Sequence, residues 1–149
     1  MTLQRFVDAQ APVISTVMAE LAAGEKRTHW MWFVFPQLAA LGRSGTAKFY
    51  GLAELDEARA YLAHPVLGER LRACTRAVLA HRDRSAHAIF GTPDDLKFRS
   101  CVTLFGLAAP DEPLFKEALV AFYGGEADAA TVELAGCAAL RTRSRRPSK

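Results

Sequence analysis

Apolar residues recur at helical spacing along most of the chain. Phe6, Val13, Val17 and Leu21 share one face of residues 3–23. Pro12 interrupts them, because a proline inside a helix lacks the N–H that the ladder needs. The pattern predicts a short helix before Pro12 and a second with Pro12 in its first turn, closed by Gly24. Residues 30–35 are apolar without alternation, so a half-exposed strand is not expected there. Periodicity alone does not separate a buried helix from a buried strand. Thr28 as N-cap and Pro36, which biases Phe35 towards extended geometry, favour a short helix ending near Phe35.

The same reading continues to the C-terminal end. Residues 42–45 form a glycine-bounded loop whose Ser44 caps a turn through Tyr50. Asp56 is the expected cap for a helix over 57–63, and Pro65 the expected first residue of the next, over 65–81. That helix is the clearest, with Leu67, Leu71, Cys74 and Val78 as its inner stripe. Ser85 caps a short turn through Phe90, closed by Gly91. Thr92-Pro93-Asp94-Asp95 has the grammar of a helix start, with Thr92 as cap and two acids in the first turn. The helix so opened runs to Phe105, and 106–113 reads as a loop. Phe115, Leu119 and Phe122 mark another helix, stopped by Gly124 and Gly125, and Asp128 caps a last one through Leu134. The prediction is an all-α, compact single-domain bundle of seven or eight short helices.

Composition supports one packed domain: 149 residues, half of them hydrophobic. No apolar run reaches the roughly 20 residues of a membrane span, and the N-terminus has no signal-peptide pattern. Cys74, Cys101 and Cys137 are too scattered for a disulfide framework or a zinc spacing, so a reducing, cytoplasmic setting is expected. The net charge of +3 hides an asymmetry. Arg141, Arg143, Arg145, Arg146 and Lys149 crowd the end of the chain, and without them the body stands at −2. Residues 1–140 are therefore read as the globular domain and 141–149 as a basic disordered tail. Nothing in the body matches a nucleic-acid reading module, so a nucleic-acid partner is not expected.

Chemistry, if any, centres on residues 29–38, which hold both tryptophans together with Phe33, Phe35 and His29. So much ring surface must build a core or floor a pocket. Lys26, His29 and Gln37 flank the rings. His29 is a candidate general acid or base, or a hydrogen-bonded core residue. Trp30 and Trp32 are candidates for stacking on a flat ring, with Gln37 reading its edge. Arg43 and Ser44, in a glycine turn before a helix, fit either an anion site or an ordinary capped loop. Asp94 and Lys97 share a helix face one turn apart, where a surface ion pair is the plain alternative to a catalytic role. Asp94 and Asp95 diverge by about 100° on a helix and cannot act as a facing carboxylate pair. No metal or organic cofactor is expected: the four histidines make no metal-ligand spacing, and phosphate-loop and dinucleotide fingerprints are absent.

Lys26 followed by His29-Trp30-Met31-Trp32-Phe33-Val34-Phe35-Pro36-Gln37-Leu38 resembles the signature of the "domain of unknown function 1810" family. Further elements fit in order: Leu41-Gly42-Arg43-Ser44, Tyr50, Glu57-Ala58, Tyr61-Leu62, His64-Pro65-Val66-Leu67-Gly68 with Arg70-Leu71, Gly91, Asp94 with Lys97, and Thr103-Leu104-Phe105. The likeness covers about residues 4–134. Where that family usually has Ser-Ser-Met, this chain has Ser100-Cys101-Val102, which removes a hydroxyl at 101. The resemblance implies a compact, mainly helical bacterial protein of unassigned activity. Members carry the label calpastatin, but calpain inhibitors of that name are largely disordered, and this composition is that of a packed globule. A fainter similarity, in the order of an aromatic cluster, a Tyr and Glu-Ala helix and a later Lys, is to hydrolases of NAD- and ADP-ribose-linked N-glycosides.

Two functional expectations follow. The first is a site for a phosphorylated small molecule of the nucleotide or ribosyl-phosphate kind, with or without hydrolysis. Its catalytic candidates are His29, Asp94 and Lys97; its binding candidates are Lys26, Trp30, Trp32, Gln37, Arg43 and Ser44. The second is a non-enzymatic interaction module using an aromatic patch or the arginine tail. Oligomeric state is left open.

Overall fold

The computed structural model describes residues 3–144, with side chains to residue 136. The arginines of the predicted tail and Cys137 lie outside the described side chains. Ten α-helices and one 3-10 turn make up the described chain. They are α1 (Gln4–Gln10), α2 (Ile14–Ala23), α3 (Met31–Val34), the 3-10 turn Ala39–Leu41, α4 (Gly45–Phe49), α5 (Leu55–Ala63), α6 (Leu67–Leu79), α7 (Ala86–Phe90), α8 (Asp94–Ala108), α9 (Pro113–Tyr123) and α10 (Ala129–Ser144). The class is all-α as predicted. The count is higher because α3, α4 and α7 are single turns or little more. The described residues contain no strand, only a parallel bridge between Leu38 and Leu52.

Helix α8 is the axis. Every residue from Ser100 to Phe105 is buried, so the helix is covered all round by α5, α7, α9 and α10. Its two central hydroxyls are satisfied: Ser100 Oγ donates to the Leu96 carbonyl at 3.2 Å, and Thr103 Oγ1 accepts the Asp128 N–H at 2.9 Å. The helix runs on through Gly106 to Ala108, where the sequence suggested a loop. A ring cluster packs along it. Phe98 meets Phe35 edge-on at 4.9 Å and Phe90 face-on at 4.9 Å, and Phe105 meets Tyr61 at 5.4 Å. Tyr61 is wholly buried; its hydroxyl takes the Gln10 amide at 2.9 Å, and the same amide nitrogen donates to the Phe33 carbonyl at 2.6 Å.

Several caps differ from expectation. Pro12 lies in the turn before α2 rather than inside it, and Val13 is the N-cap. Trp30, not Thr28, precedes α3, because the Thr28 hydroxyl is committed elsewhere. Asp56 is inside α5, and Pro65 stays in the turn before α6. His64 does the capping there: its Nδ1 accepts the N–H groups of Val66 and Leu67 at 3.1 and 3.3 Å. The Thr92 hydroxyl is hydrogen-bonded to His87 Nδ1 at 2.9 Å, and Pro93 is the N-cap of α8. Ser44, Ser85 and Asp128 cap α4, α7 and α10 as the sequence predicts.

Candidate functional site

The site starts from the end of α2. Gly24 adopts φ +73°, and its N–H and that of Glu25 return to the Leu21 and Glu20 carbonyls, which reverses the chain. The segment that follows is gathered by one carboxylate. Glu20, nearly enclosed on the inner face of α2, accepts the Arg27 N–H at 2.9 Å, the Thr28 N–H at 3.2 Å, the Thr28 hydroxyl at 2.7 Å and the Trp30 indole N–H at 2.9 Å. Burial pushes this carboxyl up, but the four hydrogen bonds outweigh it and hold it at about 2. The segment thus wraps an ionised carboxylate, with the Thr28 hydroxyl and the Trp30 indole both turned onto it.

His29 sits between those two residues and is turned outward. It is exposed and makes no hydrogen bond or ion pair among the described residues. The sequence placed it near the rings; the inward turn of its neighbours on Glu20 sends it to solvent.

Lys26 takes the opposite course. Its N–H donates to the Ile89 carbonyl at 2.8 Å, tying the segment to α7. Its side chain is only 6% exposed, yet the ammonium is fully matched. It lies 2.9 Å from Asp94 Oδ2, donates to the Thr28 carbonyl at 2.6 Å and stands 5.1 Å from the Trp30 ring. Asp94 opens α8, and its other oxygen is 3.6 Å from Lys97 Nζ one turn on. Lys97 in turn stands 4.9 Å over the Trp32 ring. One carboxylate therefore sits between two ammonium groups, each backed by an indole. Trp30 is enclosed, at 1% exposure, whereas Trp32 is half-buried and reaches solvent.

The structure brings together Lys26, Trp30, Trp32, Asp94 and Lys97. It records no contact from Gln37, Arg43 or Ser44 to them. Gln37 is half-buried, and its carbonyl accepts the Leu52 N–H at 2.9 Å. Ser44 Oγ is used by the Ala47 N–H at 3.0 Å, and Arg43 is exposed. Glu20 escaped the sequence reading. The available signal was an acid at position 20 beside the Val13, Val17 and Leu21 stripe, on a face that should have been apolar.

Among the described residues no group of three or more His, Cys, Asp or Glu side chains is placed to hold a metal ion. No helix among them is long and apolar enough to cross a membrane. Three cavities of about 400, 600 and 550 Å³ lie along α9 and the end of α6, and none of these three is lined by Lys26, Asp94 or Lys97.

Residues 1–135 match the family described as "Protein of unknown function (DUF1810)". The chain belongs to this family. The crystal structure of the conserved hypothetical protein Rv1873 from Mycobacterium tuberculosis is similar, at 52% identity and a TM-score of 0.88, over 90% of this chain and 96% of that one. No curated protein matches. The aromatic string and the Asp94–Lys97 turn thus belong to a DUF1810 domain whose fold has a solved counterpart.

Proposed function

We propose that the corner formed by Lys26, Trp32, Asp94 and Lys97 binds a small phosphorylated molecule bearing a flat ring, of the nucleotide or ribosyl-phosphate class. The observation that carries this reading is the position of Lys97, between the Asp94 carboxylate and the half-buried Trp32 ring. A ring stacks on the solvent-reaching part of Trp32, and a phosphate takes the Lys97 ammonium in place of its long 3.6 Å pairing. Asp94 then keeps Lys26 and has Oδ1 free to accept a proton. If the ligand is an N-glycoside, that oxygen takes a proton from water as the water oxygen bonds to the ribosyl carbon. The leaving nitrogen departs with the bond pair and takes a proton from solvent. His29 is exposed, with no group among the described residues to orient it.

Calorimetric titration with AMP, ADP-ribose, NAD and inorganic phosphate tests the binding. Lys97→Ala and Trp32→Ala should each weaken a ring-bearing ligand by about tenfold or more while leaving the melting temperature close to wild type. Absence of binding at millimolar ligand, or binding indifferent to both substitutions, overturns the reading. Incubating any ligand that binds and following its hydrolysis, with Asp94→Asn as the control, tests catalysis separately.

A further inference from the structure

Seven large apolar side chains are exposed among the described residues. Three of them, Leu107, Val120 and Val132, line a single groove of about 600 Å³ between α8, α9 and the start of α10. A second groove, of about 400 Å³, runs along the opposite flank of α9. Pro113, Lys116 and Val120 border both. The outer face of α9 is therefore a ridge between two furrows. Its exposed stripe is Pro113, Lys116, Glu117 and Val120, at helical spacing, while Leu114, Phe115, Ala118 and Leu119 face the core.

Helices pack by seating the ridge of one in the groove of another. A pairing of identical chains about a two-fold axis requires a surface complementary to itself. The α9 stripe meets that condition. When two copies lie antiparallel with the axis between positions 116 and 117, Lys116 falls opposite the partner's Glu117 and Pro113 opposite the partner's Val120. The charges attract at two symmetric points and the apolar ends meet. Neither Lys116 nor Glu117 forms an ion pair among the described residues. We propose that α9 is a self-association surface, through which this chain pairs with a second copy, the two α9 stripes face to face. A stable dimer buries on the order of 1,600 Å² in all, more than two helix faces supply. Association is correspondingly weak, with Kd on the order of 10–100 µM.

Sedimentation velocity on the full chain from about 1 µM to about 1 mM decides the matter. Wild type should pass from monomer to dimer across that range. Lys116→Glu and Glu117→Lys each place like charges opposite one another twice per dimer and should raise Kd about tenfold or more. The double variant restores the attraction with the charges exchanged and should return Kd close to wild type. Both positions of the test are exposed, and a thermal melt of each of the three variants checks that it is folded. A wild type that stays monomeric throughout overturns the proposal. So does a dimer indifferent to both single exchanges, or one that the double exchange fails to restore.

Discussion

The indole N–H of Trp30 donates to Glu20 Oε1 at 2.9 Å, and both residues are almost closed off from water. An acid and a tryptophan on different elements thus share one bond at the base of the candidate site. Because the Glu20 carboxyl titrates at about 2 in the fold, against 4.5 ordinarily, the unfolded chain takes up its proton first as pH falls. Stabilisation by this group is therefore complete above pH 4.5 and is lost between 4.5 and 2. Glu20 lies just below the surface, so solvent screens part of the effect, and a loss of about 2 kcal/mol is expected. Urea unfolding from pH 6 down to pH 2.5 should show that loss in wild type. Glu20→Gln should be less stable at pH 6 by about 2 kcal/mol, because one oxygen is replaced by a donor facing donors, and should lack this part of the pH slope.

Lys26 and Asp94 should not be equivalent when removed. Lys26→Ala leaves Asp94 with Lys97 still beside it, whereas Asp94→Ala strands a buried ammonium on the Thr28 carbonyl and the Trp30 face. Asp94→Ala is expected to cost about 3 kcal/mol and Lys26→Ala about 1 kcal/mol. Lys26→Met, which keeps the packed stem without the charge, should fall between wild type and Lys26→Ala. Urea midpoints at pH 7 order the three, and the reverse order for the first two would contradict this account of the pair.

Cys74 and Cys101 are buried, and burial pushes the Cys74 thiol up to about 12 and the Cys101 thiol well above its ordinary value. With so little thiolate at neutral pH, neither should react with iodoacetamide in the folded protein. Peptide mass spectrometry after labelling at pH 7.5 should find both unmodified, and both modified once guanidinium unfolds the chain.

Gly68 is required by close approach rather than by backbone angle. A Cβ there would lie 2.1 Å from the Leu62 carbonyl oxygen, a backbone atom with no rotamer to yield. Gly68→Ala should therefore force α5 and α6 apart and cost about 3 kcal/mol. Gly136, in α10, meets nothing within 4 Å among the described residues, so Gly136→Ala should be neutral or stabilising by up to about 1 kcal/mol. Thermal melts of the two variants give the contrast directly.

What local sequence dictates proved readable. The α6 stripe of Leu67, Leu71, Cys74 and Val78 is buried, and Gly24 and Gly124 end their helices in left-handed geometry. Caps failed where a better bond lay outside the helix: Thr28 serves Glu20, and Thr92 serves His87. The candidate site was half legible. Lys26 beside the aromatic string and Lys97 one turn after Asp94 can be read from spacing. Their meeting cannot, because it depends on α8 being threaded through the middle of the bundle. Glu20 was hidden for a different reason: its partners lie eight and ten residues on, across a reversal of the chain.

The unequal settings of the two tryptophans give the molecule a built-in optical gauge. Trp30 is sealed, so its emission should be blue-shifted and indifferent to dissolved quenchers. Trp32 reaches solvent beneath an ammonium group that draws anions. Iodide should therefore quench one emitter and spare the other. A molecule settling over Lys97 would shield Trp32 and change that quenchable fraction, so occupancy of the corner can be followed without a label.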